Sequence, residues 1–258
     1  MTGPFPMALL AAVASIGLWG TWLLGTARTA ATVAPGIRLT AFLVGLPMSA
    51  LVNILVKAPV GWLWFGDSRT LTWGAAIFFL FFGALAEEAM KLVPAMFRPL
   101  GAWAASRRAA ALTIGGALGL GFGVGEIAFL AVGIAADPTW AATPAWMFTG
   151  FLGERLAACL AHVVLTAVAV TLLARRRRGV LGLSAATGLH ALLNVGAMAY
   201  QMKVTGAALA TLWLGANIIL LVFILERLRA VAARRLPPRP GSEAVLYRRP
   251  GNGSAKGD

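Results

Sequence analysis

Glu87 and Glu88 stand side by side at the end of an apolar run, Leu71 to Ala86, and Lys91 follows one helical turn later. A charged side chain inside a membrane span costs at least about 2.5–3.5 kcal/mol. Such residues persist where they line a polar site and do chemistry, transport or pairing there. Further polar residues recur in the apolar segments downstream: Glu126, Glu154 with Arg155, His162, and His190 with Asn194. Both histidines of the chain, and four of its nine acidic residues, lie in apolar segments. These residue types suit hydrolysis. A buried carboxylate beside cations is a general base toward water. A second carboxylate or an imidazole can orient that water or protonate a leaving amine. His190 and Asn194 can hydrogen-bond a developing oxyanion. The same set could instead hold a divalent metal such as zinc through Glu87, Glu126, His162 and His190, and the metal would activate its bound water. No HExxH-type spacing is present, and these ligands would come from separate helices.

Helical spacing decides which of these groups share a face. Glu87 and Lys91 are four apart and Glu88 and Lys91 three apart, so either carboxylate can pair with the lysine. His190 and Asn194 are four apart, which points both into one cavity. Gly115, Gly119 and Gly123 fall on the Glu126 side of their helix, where a neighbouring backbone can approach closely. Glu126 is therefore expected between helices. Arg155 and His162 roughly share a face, and Arg155 can neutralise Glu154 or Glu126. Counting from the inner basic residues at about 1.5 Å per residue puts Glu87, His162 and His190 at nearly one depth, about 16–20 Å. On the same scale Glu126 lies deeper, at about 27 Å, and Glu154 nearer the outer face.

The elements that must position these groups follow from composition. The chain has 258 residues, 59% hydrophobic and 12% charged, against about 25% charged in soluble domains. Mean hydropathy is +0.81. The long apolar runs do not alternate, so they read as spanning helices. The expected fold is an all-α membrane protein with about seven transmembrane helices enclosing an intramembrane polar site. The spans fall near 6–26, 38–56, 71–94, 109–135, 145–174, 179–201 and 204–226. They form one membrane domain over 1–230. A basic, Pro/Gly-rich tail over 231–258 is expected to be disordered or to lie on the membrane surface. The N-terminus lacks the basic start of a signal peptide and reads as a retained first span. Pro59 to Gly66 is expected to lie flat among headgroups, and Pro35-Gly36 and Asp137-Pro138 to mark loops. Trp62, Trp64, Trp73, Trp103, Trp140 and Trp146 read as interfacial anchors. The single Cys159 has no intrachain disulfide partner and reads as packing.

The net charge of +13 does not indicate nucleic acid, because the basic residues sit in short loops and the tail without aromatic interleaving or a recognition motif. One set of alternate loops carries Arg28, Arg38, Arg98, Arg107, Arg108 and Arg175 to Arg178, and the tail carries eight more basic residues. The opposite loops hold Lys57, Arg69 and Lys203. The asymmetry places the N-terminus outside and the C-terminus in the cytoplasm. The Ala-, Arg- and Gly-rich composition points to a bacterial plasma membrane. The expected partners are the lipid bilayer and a membrane protein substrate.

Four segments in order carry a family resemblance. EEAMK (Glu87 to Lys91) resembles the EExxK/R motif of the CAAX-protease-like superfamily of intramembrane glutamic proteases. GLGFGVGE (Gly119 to Glu126) resembles the FxxxE element of its PrsW branch and the glycine-rich element of its YhfC branch. GERLAACLAHVVLTAV (Gly153 to Val168) is similar to the ER…H segment of YhfC-like proteins. LHALLN (Leu189 to Asn194) is similar to the terminal HxxxN. The matching stretch runs from about Leu80 to Ala197. Prenyl-protein proteases carry His where Glu126 stands, so the resemblance is to the PrsW/YhfC-like branch. It implies an intramembrane endopeptidase, glutamic-type or metal-dependent, acting on membrane-embedded or membrane-associated proteins. It implies Glu87 as the water-activating base and Glu88 as its motif partner. Glu126, His162, His190 and Asn194 would complete the catalytic set, with Lys91, Arg155 and Glu154 supporting it. Two alternatives use the same residues: a proton-coupled transporter, since intramembrane Glu and His relay protons, and a non-catalytic membrane scaffold.

Overall fold

The computed structural model describes residues 1–22, 33–65, 72–175 and 178–233, and nearly all of them are helical. Among them there is no strand, only an isolated bridge between Thr2 and Pro144. Helix α1 (Phe5–Ser15) continues through a π turn (Ile16–Gly20). Helix α2 (Pro35–Val52) continues through a second π turn (Asn53–Lys57) into α3 (Ala58–Phe65). Then come α4 (Trp73–Met96), α5 (Leu100–Ser106), α6 (Arg108–Ala135) and the short α7 (Pro138–Ala142). A 3-10 turn (Ala145–Phe148) leads into α8 (Thr149–Leu173), followed by α9 (Gly179–Gln201) and α10 (Ala207–Ala233).

Five helical stretches are long and apolar enough to cross a membrane: Pro35–Leu63, Arg108–Ala135, Ala145–Leu173, Gly179–Gln201 and Ala207–Ala232. Phe5–Gly20 is apolar but shorter. Helix α4 is 24 residues long and bears Glu87, Glu88 and Lys91; it is not among the five. Large apolar side chains face outward, among them Leu39, Leu43, Leu209, Leu212 and Ile219, while Glu87, Glu88, Lys91, His162 and His190 are buried. This inverts the usual soluble arrangement.

Several boundaries differ from the sequence expectation. Pro35-Gly36 does not form a loop but opens α2, where proline occupies the first turn and its missing N–H costs nothing. Within Pro59 to Gly66, the described part is helical and continues α2 rather than forming a separate surface segment. Lys57 is therefore a helical residue, not a loop residue. Pro138 starts the short α7, with the Asp137 carboxylate accepting from the Thr139 N–H at 2.8 Å. Helix α10 runs on to Ala233, past the expected start of the tail. Arg28, Arg69, Arg176, Arg177, the side chain of Trp64 and the tail from 234 lie outside the described residues.

Helix α6 sits at the centre, packed on α2 on one side and α8 on the other. It contains seven glycines, each worth about 1 kcal/mol less than alanine in a free helix. Tertiary contact, not propensity, therefore maintains it. Gly121 and Gly125 lie directly against the carbonyls of Phe42 and Leu46 on α2, and Gly119 against the carbonyl of His162 on α8. A side chain at any of these positions meets backbone, which cannot rotate away. Gly133, in the same helix, has open space around it. Gly119→Val is expected to lower stability by about 1–3 kcal/mol or more, whereas Gly133→Val leaves it nearly unchanged. Unfolding in mixed micelles checks this, and equal effects would contradict it.

At one end of the bundle, slight burial and the nearby Arg108 and Arg178 push the Arg175 guanidinium below its ordinary value. The starts of α6 and α9 and the end of α8 thus share that end.

Candidate active site

Helix α4 contributes three buried charges. Thr72 begins it, its hydroxyl accepting from the Ala75 N–H at 3.2 Å, and an apolar run carries it to Glu87. Glu88 is fully enclosed. Its Oε1 accepts from Lys91 Nζ at 2.6 Å and from His190 Nδ1 at 2.7 Å. Glu87 Oε1 accepts from Lys57 Nζ at 2.7 Å. Glu87 Oε2 is buried without a hydrogen-bond partner and lies 3.7 Å from His190 Nε2.

Lys91 Nζ also reaches His162 Nδ1 at 2.9 Å. An ammonium only donates, so Nδ1 accepts and Nε2 carries the ring hydrogen. That N–H is directed at Glu126 Oε2, 3.2 Å away. The same Glu126 oxygen accepts from Arg155 Nη1 at 2.8 Å, and Arg155 Nη2 donates to Glu154. Phe122 closes the cluster: its ring meets His162 edge-on at 4.9 Å between centroids, and Lys91 Nζ sits 4.6 Å above it. Cations and carboxylates are thus allocated in pairs, as buried charge requires. The Glu126 depth offset expected from counting is absent. Helix α5 fills the interval between Arg98 and Arg108 and packs on α6, so those arginines do not mark one level.

Glu87, Glu126 and His162 each present one atom within 4.8 Å of the others. No family model matches this chain, and no curated protein or solved structure is significantly similar to it. The chemistry rests on the geometry alone.

Of the expected residues, Glu87, Glu88, Lys91, Glu126, Arg155, His162 and His190 meet in one network. Glu154 sits at its rim, about half exposed. Asn194 stands apart. Gly182, Ala186 and His190 form a buried stripe at four-residue spacing, and Asn194 continues that stripe but is exposed. The packing opens just beyond His190. The cavity expected to hold both side chains is not formed by hydrogen bonding between them. Sequence reasoning missed Lys57, although a signal existed. Two adjacent carboxylates faced one lysine, so a second cation was owed, and Lys57 closes the apolar run of α2.

The four residues expected to ligate a metal do not act as a set. His190 is outside the group of three, its Nδ1 engaged by Glu88. A metal-bound histidine donates its other N–H to an acceptor. For His162 the other nitrogen faces an ammonium, which leaves Nε2 with its hydrogen and without a lone pair for a cation. Glu87, Glu126 and His162 could hold a metal ion only with the Lys91–His162 contact rearranged.

Proposed function

We propose that the chain is an intramembrane endopeptidase that hydrolyses peptide bonds of membrane-embedded or membrane-associated proteins with a Glu-activated water. The observation that carries this is Glu87 Oε2, a buried carboxylate oxygen without a partner, on a side chain within 4.8 Å of Glu126 and His162. Glu87 takes a proton from water as the water oxygen attacks the peptide carbonyl carbon. Glu126, whose Oε2 is held by the His162 N–H and Arg155, orients the water through its other oxygen. His190, whose Nδ1 donates to Glu88, can offer Nε2–H to the carbonyl oxygen only when both ring nitrogens are protonated, and the exposed Asn194 amide is the other donor on that helix face. When the C–N bond breaks, Glu87 returns the proton to the departing amine, and acid and amine products result. Glu88 and Lys91 position His190 and His162, and Arg155 with Glu154 holds Glu126.

The four motif-like segments support this reading, because their polar residues, apart from Asn194, converge on one network. They favour a PrsW/YhfC-like member of the CAAX-protease-like superfamily. Adding α1 and α4 to the five apolar helices gives seven spans. With the arginine-rich ends inside, the N-terminus lies outside and the C-terminus in the cytoplasm of a bacterial plasma membrane.

The test is quantitative proteomics of membranes carrying wild type, Glu87→Gln or His190→Ala. A membrane protein fragmented only by wild type, whose parent accumulates with both variants, is the expected result. Folded variants giving no difference in fragments, with pH-dependent solute flux in liposomes, would replace the protease with a proton-coupled transporter. Chelation is expected to leave cleavage unchanged. A loss with phenanthroline that zinc restores would reinstate the metal alternative.

A further inference from the structure

We propose that Lys57, presented by the π turn between α2 and α3, is a positioning residue for Glu87. It anchors Oε1 and so leaves Oε2 as the oxygen that takes the proton. This rests on the hydrolytic reading above. Lys57 lies outside every segment that carries the family resemblance.

Three observations carry the proposal. First, the contact is direct, with Nζ 2.7 Å from Oε1 while Oε2 has no hydrogen bond. A carboxylate tied at one oxygen has lost most of its rotational freedom, and the other oxygen is aimed. Second, no other cation in the cluster is free to substitute. Lys91 is shared between Glu88 and His162, and Arg155 between Glu126 and Glu154. Third, the backbone departs from α-helix where the contact needs it. Residues 53–57 form a π turn, which holds one residue more than an α turn and shifts everything after it by about 100° around the axis. Lys57 is the last residue of that turn, so the departure from α-helix falls where its side chain projects. Single π turns recur at functional sites for this reason.

The position also differs from that of the structural cations. The Lys57 side chain is 24% exposed, while that of Lys91 is 1% exposed. Lys57 thus borders the surface of the bundle, and an added small amine has a route to the vacated place.

The experiment uses the full-length protein in nanodiscs and, as substrate, the membrane protein fragmented by wild type in the comparison above. Lys57→Met and Lys57→Ala are expected to lower kcat by about 100-fold, the loss typical of a small misplacement of a reacting group, with KM little changed. Lys57→Arg keeps most of the rate, and propylammonium restores part of the Lys57→Ala activity. If Lys57→Ala does not fold, Lys57→Gln carries the same comparison. Unchanged kcat in Lys57→Met would overturn the proposal. So would a loss that follows the unfolded fraction and that neither arginine nor amine repairs. An active Glu87→Gln would remove Glu87 as the base, the part of the hydrolytic reading on which this proposal rests. An inactive Glu87→Gln beside a fully active Lys57→Met would remove only the role of Lys57.

Discussion

Replacing Glu87 with glutamine is expected to reduce fragment formation by about 100- to 10,000-fold, the range of general-base contributions. The amide keeps the volume of the side chain and one oxygen to accept from Lys57, so the helix contacts survive. It cannot accept a proton from water at neutral pH, and its NH2 group would point a donor where the proton must go. The nearby carboxylates are less well placed: Glu88 Oε2 is likewise buried without a hydrogen bond, but Glu88 lies outside the Glu87–Glu126–His162 group. Glu126 Oε2 already accepts from both Arg155 and His162, and Glu88 Oε1 from both Lys91 and His190. A purified, folded Glu87→Gln protein that cuts at the wild-type rate would disprove the assignment of the base. Loss of cutting with retained capture of the parent protein is the supporting result.

The largest effect on stability is expected at Lys91. Lys91→Met takes the ammonium from Glu88, whose side chain is completely enclosed, and leaves His162 Nδ1 without its donor. Breaking one partner out of a buried ion pair costs about 3–5 kcal/mol, because the remaining charge stays desolvated. The double variant Lys91→Met with Glu88→Leu removes both charges and is expected to recover much of that loss. Denaturation in mixed micelles gives both numbers. A change below about 1 kcal/mol for Lys91→Met alone, the value of an exposed pair, would show that water reaches this part of the network.

Much of this site was legible because spacing along one helix fixes which side chains share a face. The Glu88–Lys91 pair and the glycine ridge beside Glu126 were readable in that way, while Arg155 was left open between Glu154 and Glu126 and pairs with both. Contacts between helices were not. Lys57 lies 30 residues before Glu87, and nothing in one dimension says that the end of α2 comes to the middle of α4. The π turn that aims Lys57 has no simple sequence signature. Asn194 illustrates the converse. Its register with His190 was right, but whether that stripe is covered depends on where the neighbouring helices end. Counting depth from arginines failed for Glu126 because a short helix, α5, occupied what looked like a plain loop. Length and composition single out five of the seven expected stretches; α4, which bears the three charges, and the short α1 are not among them.

The glycine contacts of α6 divide the site into parts of unequal stiffness. Helices α2, α6 and α8 are locked at backbone distance, without side chains to act as springs, and together they carry Lys57, Glu126, Arg155 and His162. Glu87, Glu88 and Lys91 ride on α4, which packs chiefly on α9, then on α2 and α8, and meets α6 only sparsely; His190 rides on α9, which packs most on α8. Between α4 and the locked helices, ion pairs and hydrogen bonds, Lys57 to Glu87 and Lys91 to His162, add to the packing. Glu87 and Glu126 face each other across the sparse α4–α6 contact, so an extended peptide wedged between them would work against charge pairing more than against close packing.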